Sequence, residues 1–217
     1  MGVAQVTWTR PGRWGRGRTA RSAGFAPADR SRHAGLNDTL FPGLESEPGD
    51  SEETVRDRRR PRGFIIRTDG AARGNPGPAS LGAALFDLAR ADARDDRAVP
   101  DASISDYLGI QTNNVAEYTG VVRALELASE LGAREVHLLL DSKLIVEQLA
   151  GRWRVKDSKL IPLWGASRQT LSGFDRWTAV HVPRALNSVA DALANEAIDR
   201  AQAGGPASVV RRPGDRS

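Results

Sequence analysis

The chain has 217 residues, 31 Lys plus Arg against 27 Asp plus Glu, a formal net charge of +4 and no cysteine. Without cysteine, disulfides, thiol catalysis and zinc–thiolate sites are excluded. No apolar run approaches the length that spans a bilayer, and the Arg-rich start MGVAQVTWTRPGRWGRGRTARSAG lacks the apolar segment of a secretory signal, so a cytoplasmic location is expected.

The positive charge is unevenly placed. Residues 1–62 carry 12 basic and 8 acidic side chains, residues 63–200 carry 16 and 18, and residues 201–217 carry 3 and 1. The basicity lies in the ends and the body is slightly acidic, so the net charge is no evidence for a nucleic-acid-binding face. Residues 1–62 are rich in Gly, Pro, Arg and Ser with no sustained period, which predicts a disordered Arg-rich tail, either inert or an electrostatic tether. The ordered domain is expected over 63–202, with a flexible tail over 203–217.

Order begins at Phe64, where FIIRTDG reads as a buried strand bounded by glycine. GNPGP is turn punctuation, SLGAALFDLA a second strand, ARADARDDRAVPDAS a charged loop or hairpin end, and ISDYLGIQT a third strand that completes an antiparallel meander. A helix follows, with Asn113 or Asn114 as cap, Val115, Tyr118, Val122, Leu125 and Leu127 at helical spacing to about Leu131, and Gly132 as its stop. The unbroken apolar run of VHLLLD reads as a central strand. Ser142–Leu149 and Leu160–Leu171 are expected as helices, WTAVHVP as a strand, and Val189–Ala201 as a final amphipathic helix. The order βββαβα(α)βα describes an α/β fold, a mixed sheet of five strands, three antiparallel and then parallel, flanked by helices.

Four carboxylates stand in informative places. Asp69 ends the first strand but precedes Gly70, where an acid also suits a turn. Glu117 lies in the first turn of the long helix, where it also complements the helix dipole. Asp141 ends the most apolar strand, at the carboxyl edge where sites in open sheets gather, and it is also placed to cap the next helix. Asp191 lies inside the last helix, an ordinary surface position. If the four converge, they form an oxygen-rich site for hard divalent cations, the chemistry used to displace groups at phosphorus. A histidine-based or zinc hydrolase is poorly supplied: of the three histidines, His33 lies in the tail, and His137 and His181 lie in strand segments.

The succession of strand-Asp-Gly-Ala with GNPGP, then TNNVAE, LLLDS and NSVAD resembles the type I ribonuclease H family over roughly Gly63 to Arg200. The resemblance implies a ribonuclease H-like fold and an endonuclease that hydrolyses the RNA strand of RNA–DNA hybrids with two Mg²⁺ ions, Mn²⁺ being a substitute. It places the metal carboxylates on Asp69, Glu117, Asp141 and Asp191. It also implies substrate contacts at Gly74, Asn75, Thr112, Asn113, Asn114, Ser142, Gln148, Trp153, Lys156 and Asn187. Most have a plainer use: turn chemistry for Asn75, capping for Asn113, Asn114, Ser142 and Asn187, solvation for Gln148 and Lys156, and core packing for Trp153. Arg184, in the loop before the last helix, is expected to take the place of the family's mobile histidine, with His181 as second choice. The stretch from Gly151 to Leu160 is too short for the basic helix and loop that many members carry there, so this is a short form. The partner is expected to be the hybrid rather than a membrane, and the protein a monomer. The alternatives are a non-catalytic hybrid-binding domain and another nuclease of the same fold.

Overall fold

A computed structural model describes Val6–Thr9 and residues 62–215. In chain order it contains β1 (Val6–Thr9), β2 (Gly63–Ala72), β3 (Gly77–Asp87), β4 (Ala102–Gln111), α1 (Asn113–Glu130), β5 (Glu135–Leu140), α2 (Lys143–Leu149), α3 (Leu160–Leu171), β6 (Arg176–His181), a 3-10 turn (Arg184–Leu186), α4 (Ser188–Gln202) and β7 (Ser208–Arg211). The strands form one sheet in the order β1-β6-β5-β2-β3-β4-β7. The five expected strands are its interior, with β2-β3-β4 antiparallel and β2-β5-β6 parallel.

Two strands were not expected. Ser208–Arg211, in the segment expected to be a flexible tail, pairs antiparallel with β4 from Ser103 to Asp106. Two consecutive β-branched residues, Val209 and Val210, suit the extended backbone, Val210 packs against the core, and the free edge of β4 supplies the ladder. Val6–Thr9, within the segment expected to be disordered, pairs antiparallel with β6 from Arg176 to Ala179. Here too β-branched residues meet an open edge. The rest of the disorder expected over 1–62 lies outside the described residues.

Strand β2 is buried along its first eight positions because it has a neighbour on each side and layers above and below. On one side, Phe64 and Ile66 join Leu81, Leu138 and Leu140 and the inner face of α1 (Tyr118, Val121, Leu125, Ala128) in the main core. Each such large side chain contributes about 1.5–3 kcal/mol on burial. On the other side, Ile65, Ala84 and Phe86 meet Ala93 and Ala98 from the charged loop, with Val189 and Leu193 of α4 against them. Helix α4 lies very close to β3: a Cβ on Gly82 would stand 2.1 Å from Ala190 O. Ser80 Oγ and Ser105 Oγ donate to Ala194 O (2.5 Å) and Leu193 O (2.8 Å), fastening the helix to the sheet.

Strand β5 is buried on one face only. Its other face is half-buried and holds His137 between Thr178 Oγ1 (2.7 Å) and Glu135 Oε1 (3.0 Å), so the apolar run does not mark a strand covered on both faces. Among the described residues, no helix is long and apolar enough to cross a membrane.

Candidate active site

Parallel pairing brings the first two carboxylates together. Thr68 of β2 is opposite Leu140 of β5, so Asp69 and Asp141 follow side by side where that pairing stops; Asp69 does not end its strand as expected, because β2 runs on against β3 to Ala72. Leu140 is in turn opposite His181 of β6, so the loop that follows β6 crosses there as well. The start of α1 is pressed onto β2 at Gly70, where a Cβ would stand 2.2 Å from Glu117 N. Only the absence of a side chain there lets Glu117 approach Asp69. Helix α4 supplies Asp191.

Asp69 is 4% exposed. Its Oδ1 accepts from Gly70 N (2.8 Å), and its Oδ2 is buried with no partner. Burial, then the facing Asp141, pushes its carboxyl up to about 7, with further upward pressure from Asp191 and a countering pull from Arg184. Glu117 is also raised, first by burial; Ser142 and Asn113 oppose this by hydrogen bonding, and Asp141 adds to it. The clearest of these bonds runs from Asn113 Nδ2 to Glu117 Oε1 at 2.7 Å. Asp141 Oδ1 accepts from Asn187 Nδ2 at 3.0 Å. Asp191 accepts from Arg184 Nη2 (2.5 Å) and Asn195 Nδ2 (3.0 Å).

Asp69 thus lies in the field of Asp141 and Asp191, and Glu117 in that of Asp141, with Asp69 and Glu117 held towards the neutral form by desolvation. Among the described residues, no three His, Cys, Asp or Glu side chains close around a point as a finished metal cage. Asp191 is turned to Arg184 and Asn195, and Asp141 to Asn187. The donor set nonetheless fits a hard cation. It is all oxygen, it includes a buried carboxylate oxygen with nothing to bind, and a positive charge at the centre would relieve the repulsion that raises Asp69.

The other expected residues divide. Asn75 Oδ1, on the loop with Gly74 between β2 and β3, accepts from Asn113 N at 3.3 Å, which links that loop to the start of α1. Thr112, expected to contact substrate, is the N-cap of α1 and accepts from Val115 N at 3.4 Å; neither Asn113 nor Asn114 caps the helix, because the extended backbone falls one residue earlier. Asn113 is thereby free to hold Glu117, and Asn114 is exposed. Ser142 stands at the N-cap of α2 without a side-chain cap bond, near Glu117. Trp153 is 47% exposed, and the Arg154, Lys156 and Lys159 around it are also exposed, while Arg152 pairs with Glu147.

Two expectations need correction. Gln148, expected to reach a substrate groove, is 5% exposed, and its Oε1 accepts from Tyr118 OH at 2.7 Å. It satisfies a buried phenol and so is committed to the interior. Asn187, expected to cap the last helix and touch substrate, is fully buried and makes no side-chain cap bond. Its Nδ2 bridges Thr68 O (2.9 Å) and Asp141 Oδ1, tying the ends of β2 and β5 together.

Arg184 is 74% exposed along its side chain and pairs with Asp191, facing Asp69 and Asp141 as well. His181 Nε2 lies 3.1 Å from Asp141 O, bound to backbone at the rim. Two further residues that serve the site were not foreseen. Asn195 holds Asp191 from one turn further along α4, an i to i+4 relation visible in DALAN. Arg73 donates to Gln202 Oε1 (2.7 Å) and Asp199 Oδ1 (2.5 Å), fixing the Gly74–Asn75 loop to the far end of α4; no sequence signal marks that long-range pair.

The family described as reverse transcriptase-like matches residues 67–197. The bifunctional protein Rv2228c of Mycobacterium tuberculosis is 44% identical over 137 residues, which is 63% of this chain and 36% of that protein. The crystal structure of RNase H1 from Halobacterium salinarum is 42% identical with a TM-score of 0.57, covering 63% of this chain and 98% of that one. LC11-RNase H1, solved in complex with an RNA/DNA hybrid, is 38% identical with a TM-score of 0.56, covering 64% and 99%. The chain thus spans about a third of the length of the mycobacterial relatives and 63% of the curated Halobacterium ribonuclease HI.

Proposed function

This chain belongs to the type I ribonuclease H family, and from that premise we propose that it is an endoribonuclease hydrolysing the RNA strand of RNA–DNA hybrids. The observation that carries the reading is the nearness of Asp141 to Asp69 and to Glu117, and of Asp191 to Asp69, with an unpartnered buried oxygen on Asp69. A decayed binding domain would have no reason to keep these acids in repulsion.

In this reading the four carboxylates hold divalent cations, with two Mg²⁺ as the occupants. Bound there, the metal supplies activation of water and stabilisation of charge at phosphorus and at the leaving oxygen. The chain's own groups do the rest. Asn113, Ser142, Asn187 and Asn195 orient the acids, the role outer partners play around metal ligands. The loop with Gly74 and Asn75, and the exposed Asn114 beside it, lie where a shallow minor groove and its 2′-hydroxyls would be met, the feature that separates RNA from DNA. Trp153 and Lys156 offer an aromatic face and a charge to the other strand's backbone. Arg184, largely in solvent yet within reach of three of the acids, is placed to accompany the departing phosphate. We read the protein as a cytoplasmic monomer.

The test is a labelled hybrid in Mg²⁺, run beside duplex RNA and duplex DNA. Cleavage of the hybrid's RNA strand alone is expected. Equal cutting of all three would remove the specificity, and no cutting in Mg²⁺ or Mn²⁺ would leave the hybrid-binding reading. A circular hybrid, which has no ends, separates internal from terminal cleavage.

A further inference from the structure

Arg67 follows the apolar run Phe64–Ile66 of β2, two residues before Asp69, and is only 3% exposed. Burying a guanidinium is costly unless its donors are used. Burial accordingly lowers its pKa, against the opposing charges of Asp96 and Asp95. No carboxylate of the described residues forms a direct ion pair with it. Its donors go to two backbone carbonyls: Nη1 to Leu186 O and Nη2 to Arg94 O at 3.0 Å, while Nε has no partner.

Those carbonyls belong to different loops. Arg94 lies in the charged loop between β3 and β4. Leu186 ends the 3-10 turn that begins with Arg184 and is followed by Asn187. That turn has only two short backbone bonds of its own, Leu186 N to Pro183 O and Asn187 N to Arg184 O, each 2.9 Å. Arg184, Ala185 and Leu186 are all exposed, so packing does little to fix the turn. It nevertheless has to deliver Arg184 to Asp191 on one side and Asn187 to Asp141 on the other.

We infer that Arg67 is a positioning residue for cleavage, a buried clamp that sets the Arg184–Asn187 turn over the carboxylates without touching substrate. The inference rests on the ribonuclease reading of the same site. It assigns to a β2 side chain a second anchor for the turn, beside the Asn187 bonds to Thr68 O and Asp141, and it gives the buried charge in β2 a use.

The experiment compares the parent with Arg67→Met and Arg67→Lys, alone and combined with Arg184→Ala. It measures kcat and KM on the hybrid, thermal unfolding, and amide hydrogen exchange at residues 186 and 187. Arg67→Met is expected to lower kcat at least tenfold, as misplacement of a reacting group does, with KM within about twofold. Exchange at 186 and 187 should speed up at least tenfold. In the Arg184→Ala background the same change should cost kcat less, since one of its two routes is already removed and only the part acting through Asn187 on Asp141 remains. Arg67→Lys keeps the charge but reaches only one carbonyl, and should fall between. An unchanged kcat, or an equal loss with and without Arg184, overturns the inference; so does a lowered melting temperature with exchange and kcat at parental values. If Arg67→Met does not fold, Arg67→Lys decides by the same readings, and its failure to fold would make Arg67 a requirement of the fold and refute a positioning role. A parent that cuts nothing refutes the ribonuclease reading, and the exchange rates then still decide whether Arg67 anchors the turn.

Discussion

Replacing Asp69 by asparagine should abolish cleavage and, in the absence of metal, make the protein more stable. The Asp69 carboxyl is pushed up to about 7 in the folded chain, first by burial and then by Asp141, against an ordinary value of 3.8. The folded state therefore holds a proton that the unfolded state has already released. Stability linked to Asp69 is fully present below about pH 4 and is lost as pH rises through about 7, because folding binds a proton over that interval. The difference between 3.8 and about 7 corresponds to about 4 kcal/mol at about 1.4 kcal/mol per pH unit. Part of the strain stays with Asp141 and Asp191, and Arg184 already offsets some of it, so a gain of about 1–3 kcal/mol at pH 8 is expected. For a domain of this size that is a rise of several degrees, roughly 2–4 °C per kcal/mol. The assay is urea or thermal unfolding of parent and Asp69→Asn with EDTA at pH 8 and pH 4. The gain should appear at pH 8 and vanish at pH 4. A variant no more stable than the parent at pH 8, or one whose gain is the same at both, would refute the reasoning that burial and charge crowding are stored at Asp69. Added Mg²⁺ should reverse the order, stabilising the parent and not the variant, since a ligand stabilises only the form that binds it.

Gly70→Ala should cost about 1–3 kcal/mol and most of the activity, because its Cβ would meet the backbone of Glu117 and force α1 off β2; unfolding midpoints and hybrid cleavage measure both. Asn187→Ala removes the bridge between Thr68 and Asp141, and a loss of about 10–100-fold in kcat or metal affinity is expected, read by single-turnover cleavage and Mn²⁺ titration. Gln148→Leu should lower stability by about 1–3 kcal/mol by stranding the Tyr118 hydroxyl, yet leave KM for the hybrid near parental; a KM raised severalfold without a stability change would restore Gln148 to the substrate surface.

The interior of the sheet was legible because its signals are local. FIIRTDG, SLGAALFDLA and VHLLLD carry their strand character in their own residues, and Gly132 ends α1 where the helical spacing stops. The acids were legible as a set from their order and neighbours, although two were misplaced in detail: Asp69 lies within β2 rather than at its end, and Glu117 lies beyond the first turn of α1. What failed depended on distant partners. Gln148 looks like a solvated polar residue until Tyr118, thirty positions away, turns out to face it. Asn187 looks like a cap until Thr68 and Asp141 claim its amide. Four-residue edge strands such as Ser208–Arg211 contain too few residues to show a period, and they form because an edge is waiting. Arg67 reads as an interruption of an apolar strand, and only the folded loops explain it.

The two outermost strands have a consequence for handling the protein. Val6–Thr9 and Ser208–Arg211 lie at the two ends of the sheet, so they cover β6 and β4 and leave outer strands only four residues long. A polypeptide trimmed to residues 63–202 would keep every acid and yet expose rows of unpaired backbone donors and acceptors on β6 and β4. Such edges recruit strands from other molecules. Trimming should therefore lower solubility before it lowers activity, with the terminal strands acting as guards against self-association.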